Sequence, residues 1–393
     1  MQLDISLGAP CRLRQRLGAL LALALTIAAV VPPARAQDDP LLEEAAAFFG
    51  QVLHLATGVP AVIVAVVRDR KTAIAGFGEA TDGSGHAPDG KTLMRIGSIT
   101  KAFTGQILAS LAADGAVHLA DPVDKYLDWG INIPSRDGRT IRLIDLVTHA
   151  GGLPREVPHA PGPAEDPFST ITREAFVSYL RSKPLLFAPG SSVLYSNFGF
   201  DLLAAALAKS ADKPYPELLS ARITDPLGMA DTTFAPSEAQ KARLMQGHGF
   251  QGEVLPDVPT GSVILGSGGL YSTAEDMARW LAWHLDRFSV ADAEIRLLDH
   301  AAYLPRDGLK TVSGMDESGR MDAMGLSWVV MMPEGNRPLV LQKAGGLQGI
   351  FSYVAFAPTR GVGIFVAINR FDFTAAKAMA AAANDLITEL APR

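Results

Sequence analysis

Apolar residues recur along this chain with two different periods, and the period changes twice. Leu41, Leu42, Ala45, Phe48, Phe49, Val52 and Leu53 stand at helical spacing behind Asp39-Pro40, an acidic cap and a first-turn proline, and the pattern stops near Gly58-Val59-Pro60. Two β-rich runs follow, 61–67 and 72–77, split by the charged turn Arg68-Asp69-Arg70-Lys71; this predicts a hairpin. From 98 to about 328 the pattern is mostly helical and broken by Pro and Gly, with helices expected at 101–113, 142–148, 172–180, 197–210 and 274–284. Strand patterns return at 339–343, 350–357 and 362–368, before an Ala-rich helix at 374–390.

Strands at both ends with helices between predict an α+β protein whose antiparallel sheet is assembled from distant halves. The expected division is a sheet part at about 37–97 and 330–393 and an inserted helical part at about 98–329, forming one domain over 37–393. The terminal helices are expected on one face of the sheet and the helical part on the other, with a site at their boundary. The stretch 155–167, rich in Pro, His and acids, reads as an exposed loop.

The first residues follow a different logic. Arg12, Arg14 and Arg16 precede an apolar run at 19–31, then Pro32-Pro33 and the small-residue pattern Ala34-Arg35-Ala36. This is the layout of a secretory signal over 1–36, cleaved after Ala36, and the run is too short to span a bilayer comfortably. The only cysteine, Cys11, lies before the run, which disfavours a lipoprotein signal and leaves a mature chain without disulfides. No later segment reads as a transmembrane anchor, so a soluble product outside the cytoplasm is expected. Composition adds little: 393 residues, 48% hydrophobic and 19% charged, suit a large globular core. A net charge of -6 without a basic, aromatic-interleaved run argues against nucleic acid as a partner.

Three short motifs carry the candidate chemistry. In Ser98-Ile99-Thr100-Lys101 the lysine lies one turn from the serine, so its amine can reach the hydroxyl. Burial of the helix, whose Phe103, Ile107, Leu108 and Leu111 form an apolar face, together with a second cation, would lower the lysine pKa until it can take the serine proton. Tyr195-Ser196-Asn197 follows the turn Ala188-Pro189-Gly190 and precedes a helix, offering a phenol and a carboxamide to a cleft. Gln342-Lys343-Ala344-Gly345-Gly346 ends a strand run, supplying a cation and a backbone that another chain can approach. Each motif alone has a commoner structural reading: a helix cap, a tyrosine at a helix start, a strand entering a turn. A second S-x-x-K, Ser210 to Lys213, is followed by Pro214 and is set aside.

Taken together and in this order, S-x-x-K, Y-x-N and K-x-G resemble the motif set of the serine β-lactamase and penicillin-binding-protein superfamily, in its class C form. Leu119-Ala120-Asp121-Pro122-Val123, Thr148-His149-Ala150-Gly151-Gly152-Leu153-Pro154, Pro226-Leu227-Gly228-Met229 and 266–273 are similar to that branch too, so the resemblance covers nearly all of the mature chain. The stretches 195–208, 223–237 and 266–280 look like the AmpH-type D-alanyl-D-alanine carboxypeptidase/endopeptidases. The resemblance implies a β-lactamase/transpeptidase-like fold and a periplasmic serine D,D-peptidase that acts on peptidoglycan muropeptides and is acylated by β-lactams.

It further implies Ser98 as nucleophile, Lys101 as its activator, Tyr195 as proton relay, Asn197 orienting the substrate amide and Lys343 supporting the charge network. The oxyanion hole would be the backbone N–H groups of Ser98 and Gly346. Ala344 departs from the threonine usual in the third motif, whose hydroxyl helps hold a substrate carboxylate; Gln348 or Ser352 are candidate compensating donors. No metal or organic cofactor is implied, and the histidines show no metal-ligand spacing. His149 reads as structural. A β-lactamase or esterase of the same fold, and a non-catalytic penicillin-binding sensor, remain as alternatives.

Overall fold

The computed structural model describes residues 39–393; the expected signal at 1–36, with Cys11, lies outside the described residues. Asp39 accepts the Leu42 amide at 3.3 Å and Pro40 takes the first position of α1 (Pro40–Thr57), where a missing N–H goes unmissed. Gly58, at φ 61, ends the helix and returns its amide to the His54 carbonyl. Leu42, Ala46, Phe49 and Leu53 form its buried stripe.

The predicted hairpin is β1 (Ala61–Arg68) and β2 (Lys71–Gly78), turned through Asp69 and Arg70, both at positive φ. Three short strands follow late in the chain: β3 (Leu304–Pro305), β4 (Ala323–Met324) and β5 (Val329–Met331). Then come β6 (Val340–Leu347), β7 (Ile350–Ala357) and β8 (Val362–Ile368). They form one eight-stranded antiparallel sheet in the order β2-β1-β8-β7-β6-β5-β4-β3, so the first hairpin joins the last strand, as the two-ended pattern predicted. β3 and β4 extend the sheet with residues that the sequence placed in the helical part. Two-residue strands carry no readable period.

β1 shows why two layers are needed. Ile63, Ala65 and Val67 face one core while Val62, Val64 and Val66 face the other, all fully buried. A strand apolar on both faces must be covered on both. One cover is α1 with the C-terminal helix α8 (Phe373–Leu390), through Met379, Ala383 and Ile387. The other is the helical part: α2 (Thr100–Ala113), α3 (Leu143–Val147), α4 (Arg173–Ser182), α5 (Asn197–Ser210), α6 (Ala274–His284) and α7 (Ala293–His300). Thr100 through Leu111 of α2 are all buried, so this helix runs through the core instead of along its surface. Among the described residues, no helix is long and apolar enough to cross a membrane.

Candidate active site

Ser98 sits between the strand pair Met94–Arg95 with Tyr271–Ser272 and the start of α2, on the 3-10 turn Gly97–Ile99. Gly97 has φ 50, and a Cβ there would lie 2.6 Å from the Gly346 amide nitrogen of β6. A Cβ on Gly345 would lie 2.1 Å from the Ile96 carbonyl oxygen. Glycines therefore let the serine turn lie directly against the β6 backbone. The Thr100 hydroxyl donates to the Gly97 carbonyl at 2.7 Å and fixes the turn as α2 begins.

Lys101 Nζ is fully buried and has three oxygen partners: Ser98 Oγ at 3.2 Å, Asn197 Oδ1 at 2.6 Å and the Ser267 carbonyl at 2.6 Å. The last two can only accept. A neutral amine has two N–H groups for them and one lone pair for the serine O–H, so the arrangement suits lysine as a base. Burial pushes the Lys101 pKa far below the usual lysine range; the carboxylates of Asp201 and Glu156 pull it back up, and Arg155 pushes it down. Burial does most of the work expected of a neighbouring cation, Arg155 assists, and Lys101 and Lys343 oppose each other's charge.

Ser196, the middle residue of Y-x-N, is the N-cap of α5: its hydroxyl accepts the Gly199 amide at 2.9 Å and donates to the Pro154 carbonyl at 2.6 Å. Its two neighbours are thereby held at the mouth of the helix. Tyr195 has three basic side chains around its ring, with Arg155 Cζ 4.8 Å, Lys101 Nζ 4.9 Å and Lys343 Nζ 5.2 Å from the centroid. His149 stacks on the fourth side at 4.5 Å, in a left-handed conformation. Its Nδ1 accepts the Ser196 amide at 3.0 Å, and burial followed by the charges of Lys101 and Lys343 holds its pKa well below normal, so it is neutral. Lys343 is buried too, its pKa lowered first by burial, with the Tyr195 phenol opposing.

The structure thus brings Ser98, Lys101, Tyr195, Asn197 and Lys343 together with Ala344, Gly345 and Gly346. β6 continues through 340–347, past the point where its sequence pattern fades, because pairing with β7 (Gly345 to Ser352, Gly346 to Phe351) carries it on. Two cavities meet at Ser98 and Gly346. The larger, 460 Å³, runs along β6 past Arg155, Tyr195 and Lys343 to Phe371 and Phe373. The smaller, 270 Å³, is walled by Glu156, His159, Pro167, Asn197 and the 264–269 loop. The exposed 155–167 loop forms part of that wall.

Of the two expected substitutes for the missing threonine hydroxyl, Ser352 has its one donor engaged, whereas Gln348 has one of its two N–H groups engaged and does not line the larger cavity. Ser352 Oγ donates to the Ile96 carbonyl at 2.9 Å, and Gln348 Nε2 to the Val258 carbonyl at 3.0 Å. Arg155, exposed at the edge of the larger cavity, is the guanidinium that faces it.

Sequence reasoning missed Asp201. Buried on α5, it accepts the amides of Gly266 and Ser267 at 3.1 and 2.9 Å and the Ser267 hydroxyl at 2.9 Å, holding the carbonyl that Lys101 binds. Burial raises its own pKa, against the Lys101 charge and these hydrogen bonds. An acid four residues after Asn197, on one helix face, was the signal available. Arg95 was also missed; buried, it pairs with Asp257 at 2.9 Å and stacks on Tyr271 at 3.8 Å, fixing the same loop region.

The family model described as beta-lactamase matches residues 39–389. The chain belongs to the beta-lactamase family. It is 39% identical over 340 residues to the D-alanyl-D-alanine-carboxypeptidase/endopeptidase AmpH of Escherichia coli (strain K12), covering 85% of this chain and 86% of that one. A crystal structure of a beta-lactamase/D-alanine carboxypeptidase from Yersinia pestis, complexed with citrate, superposes with a TM-score of 0.81 at 36% identity, covering 90% of this chain and 99% of that one. A class C beta lactamase from Rhodobacter sphaeroides shares the fold at a TM-score of 0.72 and 23% identity, over 88% and 99% of the two chains. The family and fold read from the three motifs hold.

Proposed function

We propose that this beta-lactamase family member is an exported serine D,D-peptidase, cleaving D-alanyl-D-alanine stem peptides and their cross-links through an acyl-enzyme. The observation that carries the reading is Ser98 at the junction of two cavities, 3.2 Å from a buried lysine whose other two partners are both acceptors. A nucleophile with substrate space on both sides suits a peptide running across it. The similarity to AmpH names the substrate class.

In the proposed mechanism Ser98 Oγ attacks the penultimate D-alanine carbonyl as Lys101 Nζ takes its proton. The oxyanion sits between the N–H groups of Ser98 and Gly346, beside the N-terminus of α2, whose dipole favours negative charge. Tyr195, ringed by basic side chains, passes a proton to the departing amine, and Asn197 orients the scissile amide. Lys343 and Arg155 lower the cost of a substrate carboxylate in the larger cavity. Water then cleaves the ester. β-Lactams, which present an acylating carbonyl and a carboxylate, would acylate Ser98 by the same route, and the signal at 1–36 would deliver the enzyme to the periplasm.

Ala344 favours a second reading, an esterase of the same fold, because the hydroxyl that would hold a carboxylate, on a stem peptide or a β-lactam alike, is missing; a β-lactamase is tested beside it. Mass spectrometry of mature protein, wild type and Ser98→Ala, incubated with a muropeptide ending in D-Ala-D-Ala and with a cross-linked dimer, separates the two. Serine-dependent loss of D-alanine or splitting of the dimer supports the peptidase. Turnover of neither, with small esters or β-lactams hydrolysed instead, replaces it.

A further inference from the structure

Helices α6 and α7 each end on a histidine, His284 and His300, and the residue before the second is Asp299. The two histidines stand sixteen positions apart, a spacing that signals nothing in the sequence. In the fold, His284 Nδ1 lies 2.9 Å from His300 Nε2, and Asp299 Oδ2 lies 3.6 Å from the first and 3.7 Å from the second. These three atoms define a triangle with a point about 2.0 Å from every corner, the length of a zinc bond to imidazole nitrogen or carboxylate oxygen.

Among the described residues, no lysine or arginine pairs with the carboxylate of the group, although the charge of Arg296 acts on both imidazoles. Asp299 is fully buried and His284 1% exposed, among the rings of Trp280, Trp328 and Phe356. Asp299 Oδ2 accepts one hydrogen bond, from Trp328 Nε1 at 2.8 Å, while Asp299 Oδ1 has no partner. Among the described residues, the basic groups within ion-pair distance of this carboxylate are the two imidazoles. A buried carboxylate without a cation is strongly disfavoured, and a single ion at the centre of the triangle removes the deficit. His300, with 15% of its side chain exposed, is the member of the group that reaches solvent.

We infer that His284, Asp299 and His300 form a binding site for a divalent transition metal of the zinc type, distinct from the Ser98 cleft. The two-nitrogen, one-oxygen donor set suits that class of ion, and the Trp328 N–H fixes the liganding carboxylate oxygen. The ion would clamp the ends of α6 and α7 together against β7, behind α2. Its role is structural.

Chelator-dialysed mature protein should take up one equivalent of Zn²⁺, rise in Tm on binding it, and show the visible bands of tetrahedral cobalt when given Co²⁺. His300→Ala, the mildest change because that side chain reaches solvent, should weaken Zn²⁺ binding by at least about a hundredfold, beyond the range of outer-shell changes, and abolish the cobalt bands. Asp299→Asn should do the same, while Ser98 acylation in both folded variants stays within about twofold. Absence of stoichiometric Zn²⁺ or Co²⁺ in folded wild type would overturn the site in favour of a triad neutralised by a proton. Undiminished binding in circular-dichroism-verified His300→Ala would overturn it as well, so the test stands even if Asp299→Asn does not fold.

Discussion

Replacing Lys101 by methionine keeps the length of the side chain and removes the lone pair that faces Ser98. General-base catalysis contributes about 10²- to 10⁴-fold, so Lys101→Met should lower the second-order rate of acylation by that much in stopped-flow measurements with a chromogenic β-lactam. A change under tenfold would assign the proton to Tyr195. The pH profile tests the same network. The neutral amine is the base, so kcat/KM falls as pH drops through the lowered pKa of Lys101. The Asp201 carboxylate holds that pKa up; Asp201→Asn should therefore move the acid limb to lower pH, and a limb that stays or climbs would remove Asp201 from the circuit. At Ala344, with Ser352 committed to a backbone carbonyl and Gln348 outside the lining of the larger cavity, a restored hydroxyl has no rival there. A hydrogen bond to a charged group is worth roughly 1.5–3 kcal/mol, so Ala344→Thr should raise carboxypeptidase kcat/KM about ten- to a hundredfold. No gain on D-Ala-D-Ala peptides would place carboxylate recognition elsewhere, with Arg155 the first candidate.

At the scale of elements, the site depends on how closely the 96–98 turn lies against β6. Gly345→Ala would push a methyl to 2.1 Å from the Ile96 carbonyl oxygen, backbone against backbone, where neither side can yield by rotamer change. Loss of about 1–3 kcal/mol in urea unfolding is expected, with a larger proportional loss of acylation because the Ser98 and Gly346 amides separate. Equal losses in both would reduce the glycine to a packing role. Elements with long periods were legible in the sequence: α5 and α6 begin and end at the predicted residues, since caps at Ser196 and Thr273 are local chemistry. The end of β6 was not legible. Ala344-Gly345-Gly346 has no strand preference of its own, and its extended form comes from β7. α7, preceded by Asp292 at φ 55 and bearing two of the three residues of the inferred metal site, was likewise missed.

For the molecule as a whole, the sheet closes only when β1 meets β8, so residues some 300 positions apart must pair before either core exists. The amide of Ala61 donates to Asn369 Oδ1 at 2.6 Å across that seam. α1 contributes to the second core through fully buried Leu42, and Leu42→Ala should cost about 2–5 kcal/mol in chemical denaturation. Acylation by a saturating β-lactam in native buffer should be unchanged, because α1 packs on β1 and β2, which β8 and β7 separate from β6. A parallel loss of acylation rate would show that the two faces are coupled.

The sequence by itself determined the sheet-and-helix plan, the two covered faces and the order of the three motifs, because hydrophobic period, caps and motif spacing are local properties. It also carried the family, since several stretches agree in order. Tertiary structure alone decided what those residues could do. Burial is a property of the packed molecule, and burial makes Lys101 a base, keeps His149 neutral and leaves Asp299 in want of a cation. The meeting of α2, α5, β6 and the 266–269 loop at one point has the same origin: each is specified locally, but only close packing of distant segments brings their polar atoms within hydrogen-bond reach.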